Sequence, residues 1–501
     1  MSVIEFQSVN KIINKETGEV LITTETSKDV PYLDDFTKLG FREAFDQTES
    51  AVLEAIHESA IKAIQHRLND GATKKGLEAQ NEFNVEGNKV IESTYSIEST
   101  IGSITVATYR LVSNNKIIFD TNSNFYNTIG PCEKLYSSNV EESLLFAATR
   151  MSLRDTCYYV GKFSSGKTII SPTTLRNKVE RNGLEIADKV SASANVALDA
   201  EDTKAVITSV IPAESANDLC RVIDPAIVEN AAKKLGIKDY DSSAYEALNT
   251  VNISVDDVGV KAQKPFRPMP NDQLRGKWVN NTVAHIENKD GKYVFNGYGT
   301  DNVLRLVIAF MVINGIMLKQ QLVFFSDGAK KIHEGIIKNF VFTKYKIILD
   351  YYDLQKKIKE LFIMAFKGKD IRNDQYNAIM KILWVGDVSG SIAFVENADP
   401  SIVKNKSYLT QLIGYLNRVR DYIPNYALRK EIGLRNSSGI VEKSNDQVVA
   451  KRQKHNGMSW SKEGSLGLAT VTCASLNGEL DEWTKKRVIP FKPIPVLDVA
   501  A

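Results

Sequence analysis

From Val251 onward the hydrophobic pattern changes to one that few topologies satisfy. Val251-Asn252-Ile253-Ser254-Val255-Asp256-Asp257-Val258-Gly259-Val260 has the alternation of a strand and carries an acidic pair in its second half. Lys277 to Ile286 and Lys292 to Phe295 predict two more strands, joined by a turn at Asn288-Lys289-Asp290-Gly291. A helix is expected over Asn302 to Leu318, then a buried strand at Gln321 to Ser326 that ends in Asp327-Gly328. A helix over Ala329 to Asn339, a fifth strand over Lys344 to Leu349 ending at Asp350, and a helix over Leu354 to Phe366 complete the series. Three antiparallel strands followed by alternating helix and strand predict an α/β core, a mixed sheet flanked by helices. Residues 367–435 look all-helical and are expected to insert before the chain returns to the core at 436–501, where Glu442 lies in a helix after the Asn436-Ser437-Ser438-Gly439 cap and turn.

The chain before 251 is organised differently. Residues 1–85 are expected to be mixed and then helical, with apolar residues at helical spacing from Phe41 to Arg67 and Gly71 as the stop. Residues 86–130 form a small β unit, since Lys89-Val90-Ile91 and Gly102 to Leu111 are β-branched and partly alternating. Residues 131–250 return to helices: Glu141 to Met151, Ser152 to Tyr159 behind a serine N-cap, and a third that opens Ser171-Pro172 and stops at Gly183. Two short helices, a glycine-containing turn and a third helix bearing Arg176, Lys178 and Arg181 resemble a helix-turn-helix module, and these three residues are the expected DNA contacts. Residues 189–203 are expected to be a linker, and Ala226 to Gly236 a helix with Gly236 as its C-cap.

Composition bounds the function classes. With 501 residues, 43% hydrophobic and 25% charged, the chain matches ordinary globular proteins and excludes a mainly disordered or collagen-like one. Cys132, Cys157, Cys220 and Cys473 show no paired spacing, which argues against a zinc knot and for a reducing compartment. The N-terminus has no long apolar core, and Val303 to Leu318 contains Arg305 and is too short for a bilayer. A cytoplasmic protein with no membrane partner is expected. The net charge is only +2, so a nucleic-acid surface must be local. Between Leu428 and Lys462 eight Lys or Arg stand against three acids, among them Lys443, Lys451, Arg452 and Lys454, which are expected to meet DNA phosphates.

Phosphodiester chemistry without a covalent enzyme intermediate calls for hard cations that activate the attacking oxygen and stabilise the leaving one. Magnesium prefers carboxylate oxygens and keeps several waters, so a few converging acids suffice. Asp256 on the first strand, Asp327 after the fourth and Glu442 on the late helix are candidates, separated by 71 and 115 residues. Asp256 and Asp257 compete for the first place, because neighbours on a strand face opposite sides and Val255 and Val258 do not settle which side is core.

The segments Ile253 to Lys261, Asn281 to Ile286, Phe325 to Lys330, Ile348 to Leu354, Ser438 to Asn445, Val448 to Arg452 and Gly457 to Ser461 resemble the DDE transposases of bacterial insertion sequences, Mutator-like in layout. The resemblance covers about residues 90–485 and is strongest after 250. It implies an RNase H-like core with Asp256, Asp327 and Glu442 as catalytic metal ligands for two Mg²⁺ (or Mn²⁺), and it selects Asp256 over Asp257. It also implies binding to the element's terminal repeats and to target DNA, cleavage and strand transfer, a homo-oligomer on DNA, and a bacterial, nucleoid-associated location. The chain departs from the family at Asp353, where His is usual, and at Ser437-Ser438-Gly439, where Gly-Ser-Gly is commoner. A catalytically inactive DNA-binding relative is the alternative. A P-loop ATPase is a third reading, because Gly161-Lys162-Phe163-Ser164-Ser165-Gly166-Lys167-Thr168 fits the phosphate-loop pattern. It lacks the preceding buried strand, and Ser171-Pro172 follows where its helix should continue, so a turn between two helices is preferred.

Overall fold

The computed structural model describes residues 3–31, 41–82, 89–113, 115–121, 135–164, 170–209, 223–246, 250–264, 278–316, 321–437, 439–454 and 457–495. The chain is mixed α/β and divides into two compact units, Met1–Leu175 and Arg176–Ala501. In the first unit, Val3–Ile13 (β1) and Val20–Pro31 (β2) pair as an antiparallel hairpin against the helix Phe41–Glu82 (α1). Close approach is possible because α1 buries only small residues: Ala44, Ala55, Ser59, Ala63, Ala72, Gly76 and Ala79. The Ser59 hydroxyl lies 3.0 Å from that of Ser8, and the Ser59 carbonyl accepts the Thr24 hydroxyl at 2.7 Å. Further along, α1 packs on β4 of a four-stranded sheet. That sheet comprises Lys89–Ser99 (β3), Gly102–Ser113 (β4), Lys116–Asp120 (β5) and Leu135–Tyr136 (β6), in the order β5-β4-β3-β6. Gly71 therefore does not end the helix as expected. One glycine costs a helix about 1 kcal/mol, which the packing of Ala72, Gly76 and Ala79 outweighs.

Ser138–Ala148 (α2) and Leu153–Phe163 (α3) follow, capped by Ser137 and, as expected, Ser152, whose hydroxyl accepts the Asp155 N–H at 3.1 Å. The third helix, Pro172–Asp199 (α4), opens under the Ser171 hydroxyl, which accepts the Thr174 N–H at 3.0 Å. Two expectations fail here. Gly183 does not stop α4, and 189–203 is no linker: α4 runs to Asp199 and Glu201–Thr208 (α5) follows. The physical reason lies in the second unit, where α4 crosses the helix Lys462–Leu476 at Gly183 and Gly467. A Cβ on Gly183 would run into the Gly467 carbonyl, and one on Gly467 would stand 2.8 Å from the Glu180 carbonyl oxygen. These glycines permit a crossing rather than a stop. Pro225–Leu235 (α6) ends as expected, on Gly236 at φ +67°.

The second unit is built on a five-stranded sheet of Val251–Lys261 (β7), Trp278–Asn288 (β8), Gly291–Gly297 (β9), Leu322–Ser326 (β10) and Tyr345–Leu349 (β11). Its order is β11-β10-β7-β8-β9; β7, β8 and β9 are antiparallel neighbours, whereas β10 runs parallel to both β7 and β11. Thr300–Ile313 (α7), Lys330–Asn339 (α8) and Tyr351–Ala365 (α9) make the connections. On one face Ile253, Val255, Ala284, Ile286, Tyr293 and Phe295 pack against Val303, Leu304 and Val307 of α7. On the other, Val258, Val260, Val283 and Val294 meet Val448, Val449, Ala469 and Cys473. Both faces are covered, which is why β7 shows runs of valine and isoleucine on either side of its acids.

Residues 367–435 are helical as expected, with Lys369–Trp384 (α10), Val388–Glu396 (α11), Lys406–Val419 (α12) and Tyr426–Glu431 (α13). They share a second core with Val323, Phe325, Ile348 and Leu349 of the sheet. Gly439–Asn445 (α14) passes into a π turn at Asp446–Ala450, where the Lys451 N–H reaches the Asp446 carbonyl. Lys462–Leu476 (α15) and Leu480–Lys486 (α16) complete the unit. Among the described residues no helix is long and apolar enough to cross a membrane.

The two roles of helical glycine give opposite expectations. Gly183→Ala loses the close crossing and should cost about 1–3 kcal/mol in urea unfolding, as overpacking does. Gly414→Ala on α12, where nothing lies within 4 Å of an added Cβ, should stabilise by about 0.5–1 kcal/mol. Equal effects at the two positions would contradict the crossing.

Candidate active site

The parallel register sets the candidate aspartates in one row. Phe325 on β10 pairs with Ser254 on β7, and Ser326 pairs with Leu349 on β11. Continuing those registers sets Asp327 in the row of Asp256 on one side and Asp350 on the other, at the spacing of about 5 Å between strands. Asp327 and Asp350 thus stand just past the carboxyl ends of β10 and β11, and Asp256 lies beside them midway along β7. Alternation also decides between the paired aspartates. Asp256 shares its face with Val258 and Val260, the face covered by the segment after Glu442, and is half-buried. Asp257 points to the opposite side, is exposed, and accepts the Thr282 hydroxyl.

Each acid is held differently. The Asp257 N–H donates to Asp256 Oδ1 at 2.7 Å, and Asn445 donates its side-chain amide to Asp256 Oδ2. Asn445 lies on α14 one turn beyond Glu442, and α14 packs on β7 and β8. That contact ties the helix carrying Glu442 to the strand carrying Asp256. Asp327 accepts the Ala329 N–H at 2.8 Å, which shapes the turn after β10. Asp350 is a buried N-cap: its Oδ1 accepts the N–H of Tyr352 at 2.6 Å and of Asp353 at 3.2 Å. The cap starts α9 at Tyr351, three residues before the expected Leu354.

Burial, followed by repulsion from Asp327, pushes the Asp256 carboxyl up to about 6. Asp353, the residue standing where the resembled family has His, is pushed up to about 7. Burial is the larger cause, followed by the charges of Asp350, Asp327, Glu442 and Asp256 in that order. One carboxyl therefore senses Asp350 and the three acids that the resemblance selects. Among the described residues no three His, Cys, Asp or Glu side chains are drawn close enough to hold a metal ion. The donors are all carboxylate oxygens, the set that suits Mg²⁺ or Mn²⁺. Carboxyls that retain protons near neutral pH for want of a countercharge are groups whose protons a cation would replace.

The helical insertion reaches this site, a feature the sequence reading missed. From α12, Arg418 donates to the Gly328 carbonyl at 2.8 Å, and its guanidinium lies 5.4 Å from the Tyr415 ring centre. The Tyr415 hydroxyl is buried, has no hydrogen-bond partner among the described residues, and stands 3.4 Å from where a Gly328 Cβ would be. Gly328, at φ +83°, accommodates both the turn and this approach. On the other side of Asp327, the Ser326 hydroxyl lies 2.6 Å from His333 Nε2, and burial lowers the His333 pKa. The pattern Tyr-x-x-Arg on a helix could have flagged Tyr415 and Arg418 as one face, but nothing in the sequence says which turn that face covers.

The expected DNA contacts divide by burial. Arg176, Arg181, Lys443, Lys451 and Lys454 are exposed. Lys178 is 6% and Arg452 2% exposed, so neither presents its charge at the surface, which corrects that part of the reading. A helix in a packed core buries one side whatever its composition, and both residues fall on that side. Trp460 is half-buried against the valine face and donates its indole N–H to the Gln453 carbonyl at 3.2 Å. In the phosphate-loop match, Gly161, Lys162 and Phe163 form the last turn of α3, and 165–169 lie outside the described residues. No protein-family model and no curated protein matches this chain.

A carboxyl whose pKa is raised by folding holds its proton to higher pH in the folded chain than in the unfolded one. The folded state then binds more protons between about pH 4 and pH 7, and stability falls as pH rises through that window. Asp353→Asn removes this dependence. In the presence of a chelator its melting temperature should match the parent's near pH 4 and exceed it at pH 8. A constant difference across that range would mean that Asp353 does not share the acids' field.

Proposed function

We propose that this protein is a DDE-type transposase, with an RNase H-like core in the second unit. What supports the reading is the coupling of Asp353 to Asp256, Asp327 and Glu442, acids from three distant segments that the resemblance assigns to one centre. The strand order β11-β10-β7-β8-β9, with an antiparallel meander followed by parallel β10 and β11, is the order of an RNase H-like sheet. Asp256, Asp327 and Glu442 would hold two Mg²⁺ or Mn²⁺, which when bound supply a deprotonated attacking oxygen and stabilise the leaving one.

The chain's own residues do the positioning. Asn445 orients the Asp256 carboxylate and brings α14 with it. The Ala329 N–H and the Arg418 contact to Gly328 hold Asp327 from either side. Asp350 caps α9 and so fixes Asp353, whose carboxyl carries a proton near neutral pH where the family has His. Hydrolysis at the element end would release a 3′-hydroxyl, which then attacks target DNA in line. Two ends must be joined, so a homo-oligomer on double-stranded DNA is part of the proposal. Exposed Lys443, Lys451 and Lys454 beside α14 are the phosphate contacts that remain, and Arg176 and Arg181 those of the helix-turn-helix-like segment.

Asp353 also motivates the second reading, an inactive DNA-binding relative. The experiment uses purified protein, DNA carrying the inverted repeats that flank the reading frame, and Mg²⁺ or Mn²⁺. The parent should nick the repeat end only with metal, and Asp327→Asn should bind the same DNA and cut nothing. Cleavage by Asp327→Asn at the parent's rate would end the catalytic assignment. Binding without metal-dependent cleavage by the parent would select the inactive relative.

A further inference from the structure

Between Leu354 and Asn373 six Lys or Arg stand against two acids, in a chain whose overall charge is nearly balanced. Three of the six, Lys359 from α9 and Lys369 and Arg372 from α10, line one cavity of about 300 Å³. Its remaining lining is Phe362, Ile363, Asn373 and Tyr376, with no acid among them. The Lys359 ammonium lies 4.9 Å from the centre of the Tyr376 ring. The Arg372 Nε donates to the Gly368 carbonyl at 2.7 Å, which anchors the guanidinium by one edge and leaves its two Nη nitrogens to an outside acceptor. Among the described residues none of the three cations forms an ion pair with a carboxylate. Like charges gathered around a hollow repel, and an anion seated there offsets that repulsion.

The position of the hollow indicates which anion. Helix α9 begins at the Asp350 cap and carries Asp353 in its first turn, so one rigid element joins the acids to the cavity. Lys359 follows Asp353 by six residues, about 9 Å along a helix axis. Consecutive phosphates of one DNA strand advance about 3.4 Å along the duplex, so the hollow is set about three nucleotides from the acids. Tyr352, Lys356, Lys359 and Ile363 follow one another at spacings of four, three and four and so share a face of α9. All four are exposed.

We propose that this cavity binds a backbone phosphate of DNA flanking the acidic site, making α9 and α10 a DNA-tracking surface. The inference rests on the catalytic reading above for its choice of DNA. Its test is the triple variant Lys359→Gln, Lys369→Gln, Arg372→Gln in the full chain, measured for affinity to terminal-repeat duplex across a salt series. A charge-matched control carries Lys233→Gln, Lys234→Gln and Lys238→Gln. The triple variant should bind at least tenfold more weakly than parent and control at low salt. Its slope of log affinity against log salt should be shallower by about 1, the signature of one lost phosphate contact. Its urea midpoint should stay at the parent's value.

Affinity and slope equal to the control's overturn the site. If the parent binds DNA, the variant loses that binding, and the parent does not nick, the phosphate site stands and the catalytic reading fails. If the parent nicks and the variant binds normally, the reverse holds. If the parent binds no DNA, both fail. A melting-temperature rise with inorganic phosphate in the parent but not in the variant, together with unchanged DNA affinity, identifies a small-anion site and overturns the assignment to DNA.

Discussion

Carboxylates set in one row across three adjacent parallel strands repel one another, and much of the second unit serves to hold them there. The sheet register fixes Asp256, Asp327 and Asp350 side by side. Hydrogen bonds then restrain each one: Asn445 on Asp256, the Ala329 amide on Asp327, and the first-turn amides of α9 on Asp350. The hydrophobic layers on both sides of the sheet supply the stability that offsets this repulsion. The unresolved charge remains as protons retained by Asp256 and Asp353. Strongly shifted acids gathered in one place make this row the candidate site of the second unit.

The helical insertion is more than a spacer between Asp327 and Glu442. It shares a core with β10 and β11, and α12 returns to the turn between Asp327 and Ala329 through Arg418 and Tyr415. A chain that must bring an acid from beyond position 440 to meet one at 327 thereby uses the intervening residues to brace the meeting point. Its first helix, α10, together with α9 just before it, carries the local cation excess.

What the sequence disclosed followed from period and punctuation. The five strands, the connecting helices and the helical nature of 367–435 were visible because alternating and helical periods are local properties. So were the caps at Ser152, Ser171 and Gly236. The misreadings concern glycine and charge. Gly71 and Gly183 looked like stops, yet each sits in a helix held by partners far away in sequence, a long-range fact that no local window contains. Lys178 and Arg452 looked like DNA contacts because basic residues usually face water, and only the packing reveals which helix side is inward. The choice of Asp256 over Asp257 was open from the residues alone, because Val255 and Val258 lie on opposite faces and both faces turned out to be covered. Asn445, Tyr415 and Arg418 could not be assigned to the site because their partners are other elements.

The π turn between Glu442 and Arg452 has a consequence of its own. Widening the helix by one residue lets Val448 and Val449, both fully buried, turn toward the sheet together. Loss of one residue from 446–450 would let the wide turn close to an ordinary helical one, which holds the helix on either side in phase but takes one of the two valines off the sheet. The extra residue therefore decides how the sheet face beside Asp256 is filled, with two adjacent side chains where a regular helix would present one.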